Sequence, residues 1–97
     1  MAGTLCADDF VPLLGKAFHP DSHPQPLTLL KVDTPHFAGW ESAPRQPFSL
    51  LLRGPRDVLV PECLYRFTVD GAQAFELYLV PVQTHARAYQ DYQIGFN

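Results

Sequence analysis

The chain has 97 residues, a net charge of −3 and a hydrophobic share of 46%, enough for one buried core and too little for two. Arg53, Arg56 and Arg66 fall close together but are interleaved with Asp57, Glu62 and Asp70, so no sustained positive field is available to hold nucleic acid. No apolar run reaches the roughly 18 residues of a membrane helix, and MAGTLCADDF has neither the basic nor the apolar region of a secretory signal. The expectation is a single cytoplasmic domain over residues 1–97, with no nucleic-acid or membrane partner.

Thr4 is placed to cap a short helix in which Cys6, Phe10, Leu13 and Leu14 share one face. Asp8 and Asp9 suit its positive end, Pro12 splits it and Gly15 ends it. HPDSHPQP, residues 19–26, reads as a loop. LTLLKVDT, residues 27–34, reads as a strand with Leu27 and Leu29 on one face and Leu30 and Val32 on the other. The segment from residue 35 to 47 carries three prolines and no period, and long connections of this kind are often functional.

FSLLLR, residues 48–53, is the next strand, and Gly54 and Pro55 are expected to stop it. LYRFTV, residues 64–69, alternates Tyr65, Phe67 and Val69 against more polar neighbours. Asp70-Gly71 signals a hairpin, and FELYLVPV, residues 75–82, forms its second arm with Pro81 near the strand end. Both faces of that arm carry apolar residues, so it is expected to be covered on both sides. A last strand spans residues 89–96, with Tyr92 in the core and Tyr89 partly exposed. One short helix and five or six antiparallel strands make a mostly β, α+β fold: a sheet curled into a small barrel or roll, with the helix packed on it or plugging it.

Little in the chain points to catalysis. His19 and His23 have a ligand-like spacing, but Pro20 and Pro24 forbid the helix that would bring them together. No metal or cofactor is expected. Cys6 and Cys63 fit a reducing compartment and read as buried, unbridged thiols. Cys63 has no histidine beside it in sequence, and no serine lies in a nucleophile-elbow context. Phe37 and Trp40 flank Gly39 in the proline-rich connection. Exposed, such aromatics would be binding anchors; in a small domain the expectation is that they fold back to seal the barrel end. With Tyr89 they are the candidate contacts for a partner or ligand.

PFSLLLRGP, VPECLYRF, FELYLVPV and the terminal YQIGFN, together with DDFVPLLGKAF near the start, resemble a small bacterial domain-of-unknown-function family. Cys63 stands where that family suggests glycine, and Gly95 where it suggests a larger residue. The resemblance implies no established activity and no catalytic residue, and it implies an association with phage-derived tail proteins. The leading expectation is therefore a non-catalytic structural or interaction module with a protein partner, accessory to a phage-tail-like system. The alternatives are a small-ligand-binding barrel and, behind it, an enzyme using Cys63 or a histidine. Few charged residues guard the strands, so a homodimer through an edge strand is a further expectation.

Overall fold

The computed structural model describes residues 6–34, 48–70 and 74–96. Its strands are β1 (Ala17–Pro20), β2 (Leu27–Asp33), β3 (Phe48–Pro55), β4 (Cys63–Val69), β5 (Phe75–Pro81) and β6 (Tyr89–Phe96). Neighbours in the order β1-β2-β3-β6-β5-β4 pair antiparallel, and β1 and β4 close the ring. The expected curled sheet is thus a closed six-strand barrel. Exchanging β1, β2, β3 with β4, β5, β6 leaves the pairing scheme unchanged, so the barrel is two three-strand meanders joined through β3·β6 and β1·β4. Among the described residues no helix is long and apolar enough to cross a membrane.

Alternation produces the core. In β3, Phe48, Leu50 and Leu52 point inward and are buried, while Ser49, Leu51 and Arg53 lie outside. Phe18, Leu27, Leu29, Tyr65, Phe67, Val69, Leu77, Leu79, Tyr92 and Ile94 complete the interior. In β2 the two-residue period breaks at a bulge, where the register passes from Leu29↔Leu52 to Lys31↔Leu51. Leu30 is extruded and exposed, and Val32 turns back against the core opposite Leu50.

Both ends of the barrel are stopped. The upper end, where β1, β3 and β5 begin, is closed by the N-terminal segment. Two 3-10 turns, Ala7–Asp9 and Val11–Leu13, stand there in place of an α-helix. Their period of three puts Ala7, Phe10 and Leu13 on the core side and leaves Cys6 and Leu14 exposed, which corrects the expected face. The Asp9 carboxylate accepts the Cys6 backbone N–H at 2.8 Å; Thr4, the expected cap, lies outside the described residues. Gly15, at φ +83°, turns the chain into β1 and donates its N–H to the Leu29 carbonyl at 2.8 Å. At the lower end Val60, fully buried, plugs the opening and donates its N–H to the Tyr92 hydroxyl at 3.0 Å.

Several other expectations are corrected. β1 takes up His19 and Pro20, which read as loop, because it borrows its ladder from β2 and β4. β3 runs through Gly54 and Pro55, which still pair with Gln90 and Tyr89 of β6. The β2 register ends at Thr28↔Arg53, so proline, which lacks an N–H, has a ladder on one side only. β5 is not covered on both sides: Phe75, Leu77 and Leu79 are buried, whereas Glu76 and Tyr78 are exposed. Cys6 and Cys63 are unbridged as expected, but exposed rather than buried. Pro81 ends β5, Tyr92 is buried and Tyr89 is half-buried, as the pattern indicated.

Gly54 points into the core, where an added Cβ would come within 2.6 Å of Leu27 Cδ2. Leu27 is fully buried and has little room to yield. Gly54→Ala should therefore lower stability by about 1–3 kcal/mol, read as a fall in the urea midpoint. An unchanged midpoint would show that Leu27 repacks freely.

Candidate functional site

With the interior filled, polar and half-exposed side chains gather on the outer wall. The most interconnected group lies at the lower end of the β3·β6 ladder. Arg53 and Asp91 are direct cross-strand partners, and the guanidinium grips the carboxylate through Nε (2.7 Å) and Nη2 (3.1 Å). The same guanidinium carbon sits 3.5 Å from the centre of the Tyr89 ring. Donating to the Asp91 carboxylate holds Arg53 still more firmly protonated than an ordinary guanidinium. Tyr89, the one expected contact residue within the described chain, is thus the base on which an ion pair rests.

The β5–β6 connection is tied to this group. Among the described residues Gln90 is the buried polar side chain, and both ends of its amide are engaged. Its Nε2 donates to the carbonyls of Val82 (2.7 Å) and Asp91 (3.0 Å), and its Oε1 accepts from Arg56 Nη1 at 2.8 Å. Arg56 also donates to the Thr84 carbonyl at 3.0 Å. The Thr84 hydroxyl donates to the Val82 carbonyl at 3.0 Å and accepts the Asp91 N–H at 3.1 Å.

Further up the same wall is a shallow cleft of about 230 Å³, lined by Lys31, Asp33, Ser49, Leu51, Val82 and Gln93 among others. The β2 bulge sets its geometry, placing Lys31 beside Leu51 and Asp33 beside Ser49. Half-buried Leu51 and Val82 supply apolar surface, and exposed Lys31 and Asp33 supply opposite charges. Alternation in the strand segments already put Leu51 with Arg53, and Tyr89 with Asp91 and Gln93. What the sequence lacked was the register joining Arg53 to Asp91 across 38 residues.

The remaining expected residues are dispersed. Phe37 and Trp40 lie outside the described residues. Cys63, His19 and His85 are exposed and His23 is half-buried. Among the described residues no group of three or more His, Cys, Asp or Glu side chains could hold a metal ion.

Two tyrosines are perturbed. Burial, then the nearby Cys63, Tyr92 and Asp21, raise Tyr65 above its usual value near 10. A hydrogen bond to the Glu62 carboxylate, at 2.6 Å, raises exposed Tyr78. In both, folding favours the neutral phenol. The stabilisation is complete below the ordinary tyrosine value and is lost as pH rises through the raised one. Residue-resolved NMR titration should find both ionising later than in the unfolded chain; coincident folded and unfolded titrations would contradict this.

A family model described as domain of unknown function (DUF6916) matches residues 5–96. No curated protein and no solved structure matches the chain.

Proposed function

We propose, on the premise that the chain belongs to the DUF6916 family of domains of unknown function, that it is a non-catalytic interaction module binding a protein partner over the outer wall of β2, β3 and β6. One observation carries the reading: the cleft between Lys31, Asp33, Leu51, Val82 and Gln93 combines apolar surface with opposite charges, beside the hydrogen-bonded Arg53–Asp91 pair stacked on Tyr89. A ligand held in the barrel mouth has less support, because Phe10, Leu13 and Val60 occupy the ends. Phe37 and Trp40, in the connection between β2 and β3, are further candidate contacts. The phage-tail association rests on the family resemblance alone, and it makes a tail component the first partner class to test.

The test is capture from the source organism's lysate by immobilised wild type, Lys31→Glu with Gln93→Arg, and a control altered on the far wall, Thr68→Ser. The reading expects one protein retained by wild type and control and lost by the cleft variant. Identical capture by all three, or turnover in a broad substrate screen, would overturn it.

A further inference from the structure

We propose that the outer wall of β4 and β5 docks a second copy of this chain. Two cross-strand pairs face outward there, Leu64↔Tyr78 and Arg66↔Glu76. Leu64 is 59% exposed and Tyr78 50%, and as direct cross-strand partners they form one adjoining apolar pair on the outer wall. Arg66 and Glu76 are exposed too. They stand directly opposite each other, yet among the described residues the ion pair lies between Arg53 and Asp91, not between these two.

The four residues are complementary to themselves. Sheets that pack face to face keep their strands nearly aligned. A twofold axis along the strands, midway between β4 and β5, sets each Leu64 against Tyr78 of the other copy. The same operation sets each Arg66 against Glu76 and each Glu76 against Arg66. Every facing pair is then apolar with apolar or opposite in charge, as an isologous interface requires. The Tyr78 hydroxyl, already donating to Glu62, keeps its hydrogen bond at the rim. Two convex walls meet over a strip about two strands wide, so the dimer depends on concentration and, through its rim charges, on salt.

Closure of the barrel leaves β4 and β5 each paired on both sides, so this contact is face to face rather than edge to edge. In the ring order β4 lies opposite β3. The dimer therefore leaves both β2–β3–β6 clefts open and carries them on its two outer sides, which makes the module bivalent.

Sedimentation equilibrium of the full chain, from micromolar to submillimolar concentration, should give twice the chain mass for wild type. Arg66→Glu and Glu76→Arg each put like charges face to face in both halves of the interface, and each should return the monomer mass. Mixed in equal amounts, the two variants should regain the dimer. Every facing pair is then opposite in charge, while the pair within each chain stays like-charged, so no effect inside one chain can produce that rescue. Leu64→Asp, at an exposed position, reaches the monomer by an independent route should either charge variant fail to fold. A wild type that stays monomeric, single variants that stay dimeric, or a folded mixture that stays monomeric overturns the proposal. A chain that dimerises but captures no cleft partner keeps this inference and loses the preceding one.

Discussion

Phe10→Ala should cost about 3–5 kcal/mol, the range for truncating a fully buried phenylalanine. That is a large part of the roughly 5–15 kcal/mol that holds a domain together. Phe10 matters beyond its area. The β5·β6 register consists of Val80↔Gln93 and Pro81↔Tyr92, so the strands part towards the upper end. Phe10 fills that seam, with its ring centre 5.0 Å from Phe75, 5.4 Å from Phe96 and 5.9 Å from Phe48. Phe48 and Phe96 stack at 4.3 Å and 7°, which makes a flat wall for it to pack on. Urea denaturation measures the loss. Hydrogen exchange should show it concentrated in the last residues of β6, which pair with β3 but have side-chain packing in place of a ladder to β5. Val11→Ala, one residue on and 48% exposed, should leave the midpoint nearly unchanged. A loss below about 1 kcal/mol for Phe10→Ala would mean that the N-terminal segment only rests on the barrel.

Tyr92→Phe should cost about 1–3 kcal/mol, because it leaves a buried donor without its acceptor. Tyr92 and Val60 are both fully buried, and the phenolic oxygen accepts the Val60 N–H at 3.0 Å. The substitution opens almost no cavity, so the loss reports the orphaned N–H and the loosening of the lower stopper. Tyr65→Phe is the matched comparison. Its hydroxyl donates to the carbonyl of exposed Pro61 at 2.7 Å, and water can replace that donor. The Tyr65 variant should therefore lose less in the same urea experiment. Equal losses would show that Val60 finds another acceptor or that the lower end is wetter than its burial indicates.

Several features are legible in the amino-acid sequence because they follow from local chemistry. Alternation in residues 48–53, 64–69 and 89–96 identifies three strands, and it places Tyr92 inside and Tyr89 at the boundary. Gly15 marks the end of the N-terminal segment, whereas its break falls at Phe10 and Pro12 sits inside the second turn. Proline-rich composition and hairpin-like spacing point to a curled antiparallel sheet. The misreadings fall where a residue's state depends on a distant neighbour. β1 is four residues long and carries no alternation strong enough to announce it; β2 and β4 on either side make it a strand. Gly54 and Pro55 look like a stop, but β6 carries the ladder through them. Leu30 and Val32 share a face by alternation, but the bulge parts them, leaving Leu30 outside and turning Val32 back towards the core.

The candidate surfaces divide in the same way. Residue order alone establishes which side chains share a face of each strand: Leu51 with Arg53, Asp91 with Gln93, Leu64 with Arg66, Glu76 with Tyr78. That follows from the two-residue period of a pleated strand and needs no partner. Which of those faces meet, and which look outward, is settled by the closed ring. Register is a property of two strands, so the Arg53–Asp91 grip, the Lys31–Gln93 cleft and the self-complementary Leu64–Tyr78 and Arg66–Glu76 pairs exist only once those strands have paired. Closure also gives FELYLVPV one buried face and one free face. A barrel has a single interior, and the apolar residues of its outer wall are left to solvent or to another molecule.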